Sequence, residues 1–213
     1  MAILLYCIAK PDVQVSNSLT GVAGDPVVRV EIDRLTAFTS RNSDSSIWMR
    51  PRLQASALEF HSVVSEVFKS AAIIPFRFPT IFENEKQLME RLQERSSEYD
   101  GLLEKFRDLV QMEIRLKNPD LKTPPESGTQ YLKIRQTATR MIEKFASELR
   151  ATLSPLSPDW RERPSKDGLR AFALVERGRV EEFGRIMLNM PVPDGFSVRV
   201  SGPWPVSEFI EQS

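Results

Sequence analysis

The chain has 213 residues but only one cysteine and one histidine, and this scarcity excludes several kinds of site. Cys7 cannot form a disulfide within the chain, and its apolar neighbours favour a small buried hydrophobe over a reactive thiol. His61 lies at the margin of a helical apolar stripe, which favours a structural role over that of a catalytic base. One histidine and one cysteine also fall short of a transition-metal ligand set. We therefore expect no catalytic residue, no cofactor and no metal.

Three further absences narrow the function. The nine glycines form neither a dinucleotide-binding nor a phosphate-loop pattern. Twenty-nine basic residues cancel twenty-nine acidic ones, so the charge that normally drives nucleic-acid binding is missing. No apolar run approaches about 18 residues, and the N-terminal run is too short for a signal peptide. We expect a cytoplasmic protein with neither a nucleic acid nor a lipid membrane as its partner.

Hydrophobic periodicity gives the first half of the chain a mixture of strands and helices. Pro75 cannot donate to a sheet ladder and so indicates an edge strand, while Asn84 followed by Gln87 is typical of a capped helix start. Gly101 marks a potential break in that helix. In chain order the patterns predict strands over residues 2–9 and 27–37, a helix that Pro51 opens and that ends near Ala71, a strand over 73–78 and a helix after Asn84.

The second half shows the same alternation. The strand over residues 109–117 alternates strictly, which predicts one solvent-facing side that includes Glu113. A proline-rich loop over residues 118–126 follows, and Trp160 is predicted to lie in a loop that ends at Gly168. The remaining predicted elements are a helix capped by Ser127, a central strand over 169–175, a helix over 179–190 and a strand over 196–200 beside the central one.

These patterns predict an α+β fold made of two small domains. The first, over residues 1–107, is expected to be ferredoxin-like. The second, over residues 108–213, is expected to be a strand-helix-strand-helix-strand unit with a C-terminal tail.

The C-terminal segment holds most of the candidates for partner contacts. Pro203 and Pro205 keep Trp204 in an extended backbone, and this tryptophan either docks on its own sheet or meets a partner. Tryptophan and arginine are frequent energetic anchors of interfaces, and Arg199 is close by in sequence. The tail that follows is expected to reach the first domain or a partner. The candidate partner-binding residues are Arg77, Arg199, Trp204, Val206, Phe209 and Ile210.

Arg77 joins this set because Phe76 and Phe78 flank it, an arrangement suited to anchoring an anion beside aromatic faces. A solvent-facing position on an edge strand explains the same residue and is the favoured interpretation.

Several segments taken together resemble a known family, the gas vesicle protein L/F family (GvpL/GvpF). The likeness extends from Leu53 to Ile210 and rests on the order and separation of its pieces. These pieces are Ile74-Pro-Phe-Arg-Phe-Pro-Thr-Ile-Phe-Glu-Asn-Glu85, Met112-Glu-Ile-Arg-Leu116, Ser127-Gly-Thr-Gln-Tyr-Leu132, Arg170-Ala-Phe-Ala-Leu-Val175 and Ser201-Gly-Pro-Trp-Pro205.

The resemblance implies a non-enzymatic accessory protein of gas vesicles, the protein-walled, gas-filled compartments that give some microbes buoyancy. It implies a role in gas vesicle assembly or as a minor structural component. The implied partners are the small hydrophobic shell protein and other gas vesicle accessory proteins, and the implied location is the gas vesicle. The family's fold of two α+β parts, the first ferredoxin-like, agrees with the pattern of strands and helices.

Two other functions stay open. A ferredoxin-like scaffold hosts many chemistries, so an enzyme or small-ligand domain is the main alternative, and it predicts a pocket that gathers Arg77, Glu113 and Arg135. RNA binding on an open sheet requires exposed aromatic residues within a basic surround, and the balanced net charge argues against it.

Overall fold

The chain divides into two compact units in a computed structural model that describes residues 2–16, 18–42, 52–118, 127–163, 165 and 168–210. The first unit comprises residues 1–107 together with 205–210, and the second comprises residues 108–204. The predicted division of the chain into two domains at residue 107 stays a prediction. The predicted proline-rich loop, apart from Asn118, and the predicted helix start at Pro51 lie outside the described residues.

The first unit combines an antiparallel sheet with three α-helices. Strand β1 is central and pairs with β3, β4 and β5, while β2 extends the sheet beyond β3. The central position of residues 2–9 is thereby confirmed. The elements are β1 (Ala2–Ala9), β2 (Val28–Ile32), β3 (Leu35–Asn42), α1 (Leu53–Ser70), β4 (Ile74–Pro75), β5 (Ile81–Phe82), α2 (Glu85–Gln93) and α3 (Ser96–Lys105).

Three predictions for this unit are wrong in detail. The single strand over residues 27–37 is a hairpin, because the chain turns at Asp33, where φ is 52° and a short polar side chain tolerates the left-handed region. The strand over 73–78 is cut to β4, since the prolines on either side of Arg77 cannot donate to a ladder. The helix break lies between α2 and α3 and not at Gly101, which is inside α3.

The predicted helix start at Asn84 is confirmed. The Asn84 Oδ1 atom accepts a hydrogen bond from the backbone N–H of Gln87 at 2.9 Å and so satisfies one donor that the helix itself leaves unpaired. The Gln87 Oε1 atom accepts a hydrogen bond from the backbone N–H of Glu83 at 2.8 Å. Because Glu83 precedes the N-cap residue, this second bond differs from that of a reciprocal capping box and ties the incoming chain to the first turn of α2.

A polar contact is built into the core of the first unit around Tyr6. The Tyr6 hydroxyl lies 2.9 Å from the Ser40 hydroxyl and accepts a hydrogen bond from the backbone N–H of Val22 at 2.9 Å. The Tyr6 ring stacks on Phe60 with 4.9 Å between ring centroids. A Cβ on Gly21 would lie 2.2 Å from the Tyr6 hydroxyl, so this position has room for glycine alone.

The second unit is a sheet of four antiparallel strands with two α-helices. The strand order is β7-β8-β6-β9. The mixture of helices and antiparallel sheets confirms the α+β class for the chain as a whole. The elements are β6 (Leu109–Lys117), α4 (Gly128–Leu153), β7 (Trp160–Arg163), β8 (Gly168–Glu176), α5 (Val180–Asn189) and β9 (Ser197–Trp204).

Two corrections apply to this unit. The predicted strand-helix-strand-helix-strand order lacks β7, which Trp160 begins and which forms a hairpin with β8 where a loop was expected. The terminal strand β9 pairs with β6 and not with β8, so β6 and β8 are both internal strands. Pairing partners of this kind depend on contacts far apart in sequence, which periodicity does not encode.

One face of the second sheet forms the core of its unit. Val110 and Ile114 on β6 and Ala171 on β8 are fully buried on this face. Helices α4 and α5 contact β8, and their buried residues Phe145 and Phe183 add to the same core. Only the C-terminal half of α4 is buried in this way.

Candidate functional site

The opposite face of the second sheet carries a row of four arginines, one on each strand. Because directly paired residues point to the same face, the register aligns their side chains across the sheet. Arg163 pairs with Arg170, Arg170 pairs with Arg115, and Arg115 pairs with Arg199. We call these four residues the arginine row.

The carboxylate of Glu113 lies next to the row. Glu113 is two residues before Arg115 on β6, and its Oε1 atom accepts hydrogen bonds from the Nε atoms of Arg115 and Arg170, each at 2.6 Å. Its Oε2 atom accepts one from the Ser201 hydroxyl at 3.4 Å, and Trp204 Nε1 donates to that hydroxyl at 3.4 Å. The carboxylate therefore links three neighbouring strands, β8, β6 and β9.

Burial and hydrogen bonding act in opposite directions on Glu113. Burial disfavours the charged form, but the hydrogen bonds from Arg115 and Arg170 together outweigh it, and the pKa of the carboxyl lies below its usual range. Glu113 is 8% exposed, so the prediction that it faces solvent is wrong. The same holds for Gln111, which is 4% exposed on the same face.

The structure places two of the six candidate residues on this polar face. Arg199 is an exposed member of the arginine row, and Trp204 is half-buried at the end of β9. Arg77 lies in the first unit, exposed in the connection between β4 and β5. Its neighbour Phe76 packs against the core of that unit, so it does not present an open aromatic face beside the guanidinium.

The last three candidates belong to the first unit. Val206 and Phe209 are each 4% exposed, and Ile210 is partly buried against the core cluster that contains Ile3 and Leu5. The tail therefore contributes apolar residues to the core of the first unit. Whether any of the six residues contacts a partner stays a prediction.

Among the described residues, neither groove beside α4 gathers the three residues that an enzyme was expected to bring together. Arg135 is on the exposed half of α4, where its guanidinium contacts the Tyr131 ring, whereas the Glu113 carboxylate is paired with Arg115 and Arg170. Two open grooves of about 520 and 420 Å³ border α4 and α5, and the residues that line them include neither Arg77 nor Glu113.

The described ranges contain neither a cluster of metal ligands nor a helix that could span a membrane. There, no group of three or more His, Cys, Asp or Glu side chains is arranged to hold a metal ion. No helix among the same residues has the length and apolar character needed to cross a bilayer.

Sequence reasoning missed the arginine row because a single strand does not reveal its neighbours. A signal was present in the alternation of β6 and β9, where Arg115 and Arg199 occupy polar-side positions. Only the register between strands, which is a long-range property, shows that these positions coincide.

These features define an α+β protein of two compact units whose second sheet presents an arginine-rich face. The chain belongs to the gas vesicle synthesis protein GvpL/GvpF family, whose family model matches residues 2–211. The resemblance drawn from the sequence is thus confirmed, and it extends to the N-terminal segment as well.

Two solved structures share this fold. GvpF from Anabaena sp. PCC7120 superposes with a TM-score of 0.84 at 14% sequence identity, over 100% of this chain and 97% of that one. GvpF from Microcystis aeruginosa superposes with a TM-score of 0.76 at 16% identity, over 98% of each chain. A comparison with curated protein sequences found no match.

Proposed function

We propose that this protein is a non-enzymatic gas vesicle accessory protein that acts in vesicle assembly or as a minor structural component. The observation that carries the proposal is the match to the gas vesicle synthesis family, which spans residues 2–211 and therefore both units. In this proposal the protein is located at gas vesicles in the cytoplasm, and its partners are the shell protein and other accessory proteins.

The surfaces of the described residues support a role through protein contacts. Arg199 and Arg77 are exposed, and Trp204 is half-buried beside Ser201, so an arginine and an aromatic anchor are available on the second unit. Val206 and Phe209 are buried in the first unit. We assign partner contact to Arg77, Arg199 and Trp204. To Val206 and Phe209 we assign the anchoring of the tail in the first unit, to which Ile210 adds a partial contact.

A gene deletion in a vesicle-forming host tests the proposed function. We expect the deletion strain to lose its vesicles, seen by electron microscopy and by loss of pressure-sensitive light scattering, and we expect a plasmid copy of the gene to restore both. Co-purification of the tagged protein with the shell protein tests direct association. Normal vesicles in the deletion strain, together with no co-purification, would contradict the proposal.

A further inference from the structure

We propose that the arginine row binds an acidic α-helix of a partner protein, with carboxylates on successive helical turns meeting arginines on successive strands. This inference rests on the proposed function, because it specifies the surface and the chemistry of one partner contact.

The first argument is the local imbalance of charge. The chain as a whole has no net charge, yet four arginines are aligned directly opposite one another and Glu113 supplies one negative charge beside them. Lys117 and Arg161 add two basic residues to the same face, and Glu176, at the far end of β8 from the row, adds one acidic residue. Like charges that are directly opposite in a sheet destabilise it, so this arrangement favours a further source of negative charge.

The second argument is the availability of donors. Arg115 and Arg170 use their Nε atoms for Glu113, and their side chains remain 48% and 41% exposed. Among the described residues, their terminal Nη atoms make no hydrogen bond, and Arg199 forms no ion pair. A guanidinium can bind a carboxylate through two parallel hydrogen bonds, so these donors suit carboxylates in particular.

The third argument is spacing. Neighbouring strands lie about 4.8 Å apart, so the four arginines of the row span about 14 Å across the sheet. One turn of an α-helix rises about 5.4 Å, so the distance between carboxylates repeated every three or four residues is close to the distance between neighbouring strands. In an extended peptide, side chains on one side repeat about every 6.7 Å, so their spacing matches that of the arginines less well than the spacing on a helix does.

The polar face suits an acidic helix better than single-stranded RNA. RNA recognition on an open sheet relies on exposed aromatic rings on which bases stack. Phe172, the aromatic residue on β8 next to the row, is 1% exposed, and the Arg170 guanidinium lies 4.9 Å from its ring centroid. That ring therefore offers no face to a base, and RNA binding becomes an outcome of the test.

The binding test uses the full chain and two alanine-based synthetic peptides of about five helical turns. One peptide carries glutamates in a single stripe, and the other carries the same residues scattered around the helix. We expect the striped peptide to bind about tenfold more tightly in fluorescence anisotropy, and its affinity to fall as salt is raised. Equal affinity for both peptides, no binding of either, or tighter binding of an oligouridylate would overturn the inference.

Variants locate the site. Arg199→Ala should weaken binding of the striped peptide about tenfold, the size expected for one lost charge-assisted pair. Arg140→Ala makes the same charge change on the exposed half of α4 and should leave binding unchanged. Arg199 is exposed, so both variants should keep the melting temperature of the parent chain. An Arg199→Ala protein that binds like the parent would refute the assignment to the row.

The outcome is separable from that of the proposed function. If the gene deletion abolishes vesicles but binding of the striped peptide does not depend on Arg199, the inference fails and the proposed function stands. If the deletion leaves vesicles intact and no shell protein co-purifies, the proposed function fails whatever the peptide does.

Discussion

Replacing Glu113 with glutamine keeps the shape of the side chain and removes the negative charge that pairs with Arg115 and Arg170 of the arginine row. Two hydrogen bonds from Arg115 and Arg170, each 2.6 Å long, change from charge-assisted to neutral. Each such change costs about 1 kcal/mol, and the 48% and 41% exposure of the arginine side chains screens part of it. We expect the Glu113→Gln protein to lose about 1–2 kcal/mol of unfolding free energy at neutral pH.

The loss should depend on pH with a definite sign. The pKa of Glu113 is lowered in the folded chain, so between that value and the ordinary carboxyl pKa the unfolded chain binds more protons than the folded one. The stability that Glu113 contributes is therefore present above the ordinary carboxyl pKa and is lost as the pH falls through the lowered folded pKa. The difference between parent and variant should shrink toward zero at strongly acidic pH.

Urea unfolding followed by tryptophan fluorescence measures this difference, since Trp160 and Trp204 are both in the second unit. Glu143→Gln is the matched control, because Glu143 is exposed on α4 and should change stability by less than about 0.5 kcal/mol. A double-mutant cycle with Arg170→Gln isolates the coupling between Glu113 and Arg170. An equal deficit at neutral and at strongly acidic pH, or none at neutral pH, would refute this account of the row.

Four further predictions concern the first unit. Tyr6→Phe should cost about 1–2 kcal/mol in chemical denaturation, because its hydroxyl makes two buried hydrogen bonds. Gly21→Ala should also destabilise the protein. The double variant with Tyr6→Phe should lose less stability than the sum of the two single variants, because the hydroxyl 2.2 Å from the new Cβ is gone. An additive loss would contradict the clash. Phe209→Ala should lower the free energy of unfolding by about 3 kcal/mol, and Tyr131→Ala by less than about 1 kcal/mol, because Phe209 is 4% and Tyr131 is 40% exposed. Similar melting temperatures for the two variants would contradict burial of the tail. Cys7 is fully buried and burial raises the pKa of its thiol, so a disulfide reagent should modify it only in denaturant, and rapid reaction of the native protein contradicts that placement.

The elements that the sequence predicts well are those whose signals are local. Strands β1 and β6 have their predicted bounds because their apolar pattern is unbroken over eight and nine residues. Helices α2 and α4 begin after Asn84 and Ser127, where a side-chain oxygen accepts a hydrogen bond from a backbone N–H three residues later. Such signals lie within one turn or one strand, so a single sequence contains them in full.

The errors share a long-range cause. The hairpin at Asp33 was hidden because the apolar–polar alternation of Val28, Val30 and Ile32 resumes at Leu35 and Ala37, after a turn that has no glycine. Strand β7 was missed because Arg161, Glu162 and Arg163 give it the composition of a loop, and its pairing with β8 decides its conformation. For the candidate site, the alternation along β6 and β9 was visible, but the alignment of four arginines required the register of three strand pairs.

The balanced net charge and the arginine row have different physical consequences. Net charge governs long-range electrostatic attraction, which salt screens beyond the Debye length of about 8 Å, and at zero net charge a polyanion is not drawn to this chain from a distance. The row acts only at contact, where aligned guanidiniums select a ligand with carboxylates at matching spacing. Glu113 holds Arg115 and Arg170 in place by their Nε atoms, which orients these arginines before any partner arrives. A chain of this kind selects its partner by geometry at contact, and the net charge that weighs against non-specific nucleic-acid binding is compatible with specific recognition of an acidic helix.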